Sequence, residues 1–353
     1  MKILITGGAG FIGSAVVRLA IARGHSVVNV DCLTYAANLA NLDSVKDSPN
    51  YAFERADICD GAAMDGVLTR HKPGAIMHLA AESHVDRSLD GPDAFIKTNV
   101  IGTFTLLQSA RRYYENLTPD KRQAFRFHHV STDEVYGDLS ADAPAFSERH
   151  AYDPSSPYSA SKAASDHLVR AWGRSYGLPF VMSNCSNNYG PYQFPEKLIP
   201  VVILKALAHQ PIPIYGAGDN IRDWLYVDDH AGGLLTVLQK GALGQTYNIG
   251  GNNERTNLEL VQTLCALIDD KTDDEFSHAS LIEFVTDRPG HDRRYAIDAS
   301  KIEKDLGWTP KIKADEGLSK TLDWYLENRT WWEPLIGDGL RATPSRLGLK
   351  GKA

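Results

Sequence analysis

Thr132, Asp133, Glu134, Tyr158 and Lys162 gather a hydroxyl, two carboxyls, a phenol and an ammonium within one short stretch of chain. Together such groups can move protons in both directions. A phenol titrates near 10 and is a poor base at neutral pH, but a neighbouring ammonium favours its phenolate. Two carboxyls held apart in pKa can serve one substrate as acid and base. Tyr158 and Lys162 are four residues apart, so a helix puts them on one face. Alone, Tyr-x-x-x-Lys also fits a surface helix with a stabilising pair, and its meaning depends on what positions it.

The flanking sequence supplies that position. Residues 125–130 form an apolar-rich run that reads as a strand with Ser131-Thr132-Asp133-Glu134 at its mouth. An open α/β sheet places its chemistry there. Ser156 is a suitable N-cap and Pro157 a suitable first residue for a helix reaching about Tyr176 and stopping at Gly177. His128 and His129, just before the strand end, read as buried structural groups.

At the N-terminus, Ile3-Leu4-Ile5-Thr6 fits a buried parallel strand. Gly7, Gly10 and Gly13 follow, then helix-period apolar residues from 14 to 23, then a strand ending at Asp31. Strand, glycines, helix and acid in this register form a dinucleotide fingerprint. The glycines let the backbone approach a pyrophosphate seated on the helix N-terminus. Asp31 can accept from the adenosine ribose hydroxyls and repels a 2′-phosphate, which favours NAD over NADP. The nicotinamide charge would further favour the Tyr158 phenolate, which takes a hydroxyl proton while the carbon gives up hydride. Lys162 would lower that pKa and bind the nicotinamide ribose.

The alternation continues. Residues 53–58 read as a strand whose polar end carries Asp57, placed either to contact adenine or to cap the next helix. Residues 75–81 are another strand, with an exit at 82–88 too polar for core. A long helical pattern spans 95–114, and a strand at 180–184 leads into a polar loop. This rhythm argues for an α/β fold, a Rossmann-type doubly wound parallel sheet. Beyond it, helix 198–209, an edge strand at 212–216, the charged and aromatic run 222–229, strand 245–250 and helix 258–268, capped by Asn257, suggest a smaller mixed α/β substrate domain. The expected division is 1–185 for dinucleotide binding, taking back parts of 220–255, then 186–340 for substrate, with 341–353 as a tail. Trp324, Trp331 and Trp332 read as packing.

A chain of 353 residues suits about two domains. Its net charge of −7 argues against a nucleic-acid surface, though not against a local basic pocket. The four cysteines lie far apart, with no CxxC pair and no Cys/His metal spacing, so neither metal nor disulfide is expected. Met1-Lys2 leads straight into a strand, and no apolar run nears the ~18 residues of a membrane span. A cytoplasmic protein is expected.

The fingerprint and the Tyr158/Lys162 pair, followed by a second unit of this size, resemble the extended short-chain dehydrogenase/reductase superfamily. Ala80-Ala81-Glu82-Ser83-His84-Val85-Asp86-Arg87-Ser88, Ser131-Thr132-Asp133-Glu134-Val135-Tyr136-Gly137, Arg222-Asp223-Trp224 and Asp287-Arg288-Pro289-Gly290-His291 narrow the resemblance. With segments 31–39, 186–193 and 195–200, they look like the dTDP-glucose 4,6-dehydratase family, and the similarity runs to about Trp332. Cys32 and Ala37 depart from the pattern at positions that do not touch the chemistry.

The resemblance implies a lyase that converts dTDP-glucose to dTDP-4-keto-6-deoxyglucose and water, a reaction of dTDP-rhamnose biosynthesis. C4 is oxidised, water is eliminated across C5 and C6, and hydride returns to C6, so NAD is restored each turn and stays tightly bound. Asp133 is the implied acid at the C6 hydroxyl, Glu134 the base at C5, and Thr132 a hydrogen-bond partner of the C4 oxygen. Adjacent residues on a strand diverge, so a turn at the strand end must aim both carboxyls inward; otherwise Glu134 caps the loop or pairs with a lysine. Gly7, Gly10, Phe11, Ile12, Gly13, Asp31, Leu33, Thr34, Asp57, Ile58, Leu79, Ala80, Ala81, Ser83, Thr98 and Asn188 would line NAD with Tyr158 and Lys162. Ser83, Thr132, Asn187, Lys197, Leu198, Arg222, Asn257, Arg288 and His291 would hold the substrate, with Pro213 and Tyr215 near its base. The helices from Phe95 and Tyr158 correspond to those of a four-helix dimer interface, so a homodimer is expected. The rivals are a dehydratase for another sugar nucleotide, a 4-epimerase, which needs only the Tyr, the Lys and a hydroxyl, and a non-catalytic NAD-binding scaffold.

Overall fold

Short apolar and β-branched runs become strands where both faces of a sheet are covered. In the computed structural model, which describes residues 1–336, they are β1 (Lys2–Thr6), β2 (Ser26–Asp31), β3 (Tyr51–Arg55), β4 (Ala75–His78), β5 (Arg126–Thr132) and β6 (Phe180–Cys185). The later strands are β7 (Asn187–Tyr189), β8 (Ile212–Tyr215), β9 (Ile221–Tyr226), β10 (Thr246–Ile249), β11 (Glu254–Thr256) and β12 (Ile282–Val285). One sheet runs β3-β2-β1-β4-β5-β6-β10, parallel throughout. This is the doubly wound sheet that the sequence predicts. The order reverses between β1 and β4, which opens a crevice beyond their carboxyl ends.

The seventh strand comes from far along the chain. β10 pairs with β6 from Thr246 opposite Met182. The preceding helix, Val227–Lys240, buries Ala231, Leu234, Leu235 and Leu238 in one cluster with Ala15, Val16 and Ala20 of helix Phe11–Ala22. Sequence reading left this helix unseen, because its first turn carries Asp228 and Asp229 and reads as part of a polar run. On the other sheet face Leu106, Leu107 and Val169 pack on Leu4, Ile76 and Phe127. The remaining strands form β11-β9-β7 and β12-β8. They share a separate core with helices Leu198–Leu207, Asn257–Asp269 and Ala314–Glu327, and Trp332 is buried in it while Trp324 and Trp331 pack against it.

Several local expectations change. β3 ends at Arg55, where its partner β2 ends, so Asp57 and Ile58 lie beyond the strand. Asp60, not Asp57, caps helix Gly61–His71, accepting from Ala63 N at 3.0 Å. Thr256, not Asn257, caps helix Asn257–Asp269, in a reciprocal capping box with Glu259. The long helix around residue 100 is π-helical over Ile96–Gly102. The polar exit after β4 is not outside: His84, Asp86 and Ser88 are buried, because Asp86 meets Tyr215 and Arg288 from the second unit. Ser156, Pro157 and Gly177 bound helix Pro157–Tyr176 as expected. Residues 341–353, the expected tail, lie outside the described residues. Among the described residues no helix is long and apolar enough to cross a membrane.

Candidate active site

The crevice between β1 and β4 begins with a glycine turn that has no room for side chains. Gly7 has φ +73°, and a Cβ there would sit 2.8 Å from the Ala80 backbone. A Cβ on Gly13 would lie 2.0 Å from the Gly7 carbonyl oxygen. The helix after Gly10 therefore starts directly on the turn, and the amides of its first turn, at Phe11, Ile12 and Gly13, form an anion seat. Asp31, buried at the end of β2, accepts from Ala9 N at 3.0 Å and Leu33 N at 2.8 Å. Burial pushes its carboxyl up, and these two hydrogen bonds hold it down. Cradle and acid together fit a dinucleotide. Gly13→Ala is expected to strip retained NAD and lower the melting temperature, since the methyl meets a backbone oxygen rather than a movable side chain. Cofactor absorbance after denaturation and a thermal melt check both.

The other expected cofactor residues are spread around this cradle. Ala80 donates its N–H to Thr6 Oγ1 at 3.2 Å, which ties the ends of β1 and β4 together. Leu79 and Ala81 flank it half-buried, and Thr34 and Asp57 are exposed. Thr98 is half-buried in the π-helical segment. The Ile58 side chain is buried in the core, so it offers a ligand only its backbone. Asn188 Oδ1 accepts from His230 Nδ1 at 2.8 Å and its Nδ2 donates to Ser186 O at 2.9 Å, so its side chain is already engaged. Asn99, absent from the expected set, ties residue 82 to helix Pro157–Tyr176 through Glu82 N, Glu82 O and Ser161 Oγ.

At the mouth of β5, a single 3-10 turn over Asp133–Tyr136 solves the divergence of neighbouring side chains. Thr132 Oγ1 lies 3.3 Å from Asp133 Oδ1 and accepts from Glu134 N at 3.3 Å. Asp133 is 1 % exposed and its Oδ2 has no partner. Burial, then Glu134 and Asp223, push its carboxyl far above the usual range. Glu134 is half-buried on the wall of the substrate cleft. Burial also raises its pKa, but Arg288, Arg222 and Lys197 pull it back. The carboxyls are thus set apart, the inner one pushed up by burial and the outer one facing cations.

Tyr158 and Lys162 are both buried on the facing helix. Tyr158 hydrogen-bonds Thr132, but burial and then Glu134 drive its phenol up. Lys162 donates to Val130 O at 2.9 Å. The expected lowering of the phenol by this ammonium is therefore opposed by burial and Glu134, and a direct Tyr158–Lys162 hydrogen bond is not among the bonds of the described residues. Burial lowers the Lys162 pKa, and Asp166 opposes that. Asp166 is an unforeseen member of the site. It meets His129 Nε2 at 3.0 Å, Ser131 Oγ at 2.8 Å and Tyr152 OH at 3.0 Å, and burial lifts its pKa to about 6. Its signal was legible: four residues after Lys162, a carboxylate shares the helix face turned to the sheet. Asp166→Asn is expected to lower kcat about tenfold with little change in KM, and to move the pH profile downward as Lys162 loses its counter-charge. Steady-state rates across pH check this.

The second unit completes the cleft. Ser83, Asn187, Lys197, Leu198, Tyr215, Arg222, Asn257, Arg288 and His291 line a space of about 830 Å³, counted to its open mouth. Thr132 lies at the β5 mouth beside Asp133 instead, and Pro213 is buried in β8 beside the wall. Arg222 donates to Asp292 O at 2.8 Å and stacks its guanidinium 4.3 Å from the Tyr295 ring centre. Arg288 pairs with Asp86 at 2.9 Å and keeps a buried, unpartnered Nε. Lys197 donates to Ser83 O at 3.0 Å. Burial, then Arg288 and Arg222, lower His291 to about 4, so it is neutral at pH 7. Two guanidiniums and an ammonium on one wall suit a diphosphate. Sequence reading gave no role to Asp86, Glu196 and Tyr295, which also line the wall.

A dinucleotide crevice at β1/β4, with Thr132, Tyr158 and Lys162 beside it and a second unit closing over a cationic cleft, defines an extended short-chain dehydrogenase/reductase. The family model for GDP-mannose 4,6 dehydratase matches residues 4–321. A dTDP-glucose 4,6-dehydratase of Shigella flexneri is 60% identical over 342 residues, 94% of this chain and 95% of that protein. The chain belongs to the dTDP-glucose 4,6-dehydratase family. The crystal structure of dTDP-glucose 4,6-dehydratase from Streptomyces venezuelae with NAD and TYD bound is similar at TM-score 0.87 and 44% identity, covering 95% of this chain and all of that one (100%). A UDP-glucose 4-epimerase from Thermotoga maritima, solved with UDP-glucose, is similar at TM-score 0.82 and 30% identity, covering 93% of this chain and 100% of that one.

Proposed function

We infer that this chain converts dTDP-glucose to dTDP-4-keto-6-deoxyglucose and water, with NAD as its cofactor. The observation that carries the reading within its family is the split carboxyl pair at the β5 mouth: a buried Asp133 without a partner on Oδ2 beside a Glu134 facing cations. NAD, held by the Gly7–Gly13 turn and Asp31, supplies an acceptor and donor of hydride. Tyr158, in hydrogen-bond contact with Thr132, takes the C4 hydroxyl proton. The resulting ketone acidifies C5–H, and Glu134 removes that proton. Asp133, whose pKa burial raises, gives a proton to the departing C6 hydroxyl, which leaves as water. Arg222, Arg288 and Lys197 hold the diphosphate.

A 4-epimerase needs Tyr158, Lys162 and Thr132 but no acid–base pair for elimination, so Asp133 and Glu134 favour the lyase. A scaffold that only binds NAD needs none of the five. Purified protein incubated with dTDP-, UDP- and GDP-glucose is expected to give the alkali-induced absorbance of a 4-keto sugar most strongly with the dTDP sugar. No product from dTDP-glucose would overturn the reading.

The same reading includes a dimer. Ile96, Ile101 and Phe104 on the continuous helical segment of Ile96–Gly102 and Thr103–Glu115, and Tyr176 on helix Pro157–Tyr176, are exposed large apolar residues, and Phe104 packs on Trp172. This shared apolar face supports pairing through those two helices, and light scattering at micromolar protein should return twice the chain mass. The organisation that best accounts for the cores is a dinucleotide unit of residues 1–185 that takes back 227–249 and 299–308, with the substrate unit formed from the other described residues after 185.

A further inference from the structure

Far from the catalytic residues, the end of helix Leu198–Leu207 meets the loop after helix Asn257–Asp269. We propose that His209, Asp274 and His278 form a binding site there for a divalent transition metal such as zinc. His209 Nε2 lies 3.2 Å from Asp274 Oδ1, and His278 Nε2 lies 3.3 Å from Asp274 Oδ2. One ligand atom from each residue falls within 4.8 Å of the others. Tetrahedral ligands at zinc bond lengths stand about 3.3 Å apart, and each imidazole already stands at that spacing from one of the two Asp274 oxygens. The His209 side chain is half-exposed, its ring edge-on to Phe276 with centroids 5.1 Å apart.

His278 is the decisive residue. Its side chain is fully buried (0 % exposed), and its Nδ1 lies 2.6 Å from Asp269 Oδ1. Asp269 is itself fixed by His278 N and Ser277 Oγ, each at 2.8 Å. A carboxylate on Nδ1 makes that nitrogen the donor and leaves Nε2 with a bare lone pair. That Nε2 has no hydrogen-bond partner. The atom it faces, Asp274 Oδ2 on a partly exposed side chain, is another acceptor, so a proton or a metal ion must lie between the two. Carboxylate to histidine to metal is the arrangement by which outer partners orient metal ligands.

Two imidazoles and one carboxylate suit zinc, cobalt or nickel better than magnesium or calcium, and leave a fourth position for water. The ligands are 65 and 4 residues apart in the chain, which is why a search for Cys/His spacing passes over them. A metal here would fasten the loop at 270–278 to the helix whose opposite end presents Lys197 and Leu198 to the substrate cleft.

The test uses the full, untagged chain after treatment with a chelator. Titration calorimetry with Zn²⁺ is expected to give one site per chain, and Co²⁺ to give the visible bands of a tetrahedral N/O site. At a hundredfold excess over Kd, the melting temperature should rise by about 4 °C. His209→Ala removes an exposed ligand without opening a core, and should weaken Zn²⁺ binding about tenfold or more while leaving turnover unchanged. Asp269→Asn should weaken it about 10–100-fold by releasing the ring of His278. Absence of a stoichiometric site, or Zn²⁺ binding equally tight in His209→Ala and Asp274→Asn, would overturn the proposal.

Discussion

Glu134→Gln is expected to lower turnover by about 10²- to 10⁴-fold while the protein keeps its fold and its NAD. Glutamine preserves the size of the side chain and the backbone bond from residue 134 to Thr132 Oγ1. It removes only the basic oxygen. Burial raises the Glu134 pKa, and Arg288, Arg222 and Lys197 favour the ionised form that a base needs. Solvent deuterium entering C5 and release of the 4-keto product should therefore fall together, since both need the C5 proton removed. The pH profile carries a second signature. A base must be deprotonated, so kcat/KM of the unmodified enzyme should fall as pH drops through a value above the ordinary 4.5, and this limb should vanish in the variant. Undiminished exchange at C5 would remove Glu134 as the base.

The parts of this site that local sequence could announce were short and contiguous. The β1–glycine–helix–β2 unit is legible because strand period, the glycine turn and the terminal acid all lie within Lys2–Asp31, each with its own physical reason. Ser156, Pro157 and Gly177 mark their helix because capping depends on the nearest neighbours alone. What stayed hidden depends on distance along the chain. Asp86 reads as a loop acid until Tyr215 and Arg288 reach it across separations of 129 and 202 residues. β10 lies in the stretch 220–255 from which the dinucleotide unit was expected to take back parts, but only its pairing with β6 shows that it is the strand that returns. The cap at Thr256 was readable from Thr-x-x-Glu and was lost to Asn257, a good capping residue one place too late. Most substrate-wall residues came from family resemblance, because no periodicity selects Arg222, Asn257 and Arg288 from three separate elements. The pKa order of Asp133 and Glu134 needed the fold as well. Only the turn at the β5 mouth decides which carboxyl is buried and which meets cations.

That burial leads to the second large effect, in which stability and activity move in opposite directions. Asp133→Asn is expected to raise the melting temperature at neutral and alkaline pH while lowering turnover about 10²-fold or more. The folded-state pKa of Asp133 lies well above its ordinary 3.8, through burial and the nearby Glu134 and Asp223. For a group raised on folding, the stability it contributes is complete below the unfolded value and is lost as pH rises through the folded one. The unmodified protein should thus lose stability from about pH 4 upward on account of this residue. Asparagine is neutral throughout, and its amide can donate toward the same two acids, so the gap between the melts should widen with pH. The missing acid should trap the reaction after C5. Exchange at C5 continues because Glu134 is intact, whereas loss of water from C6 fails, the reverse of the coupled loss in Glu134→Gln. Melts of both proteins between pH 4.5 and 9, paired with C5 exchange and product assays, read the two effects separately. A melting difference flat in pH would show that Asp133 is not held neutral by its surroundings, and full turnover would show that another group protonates the leaving hydroxyl.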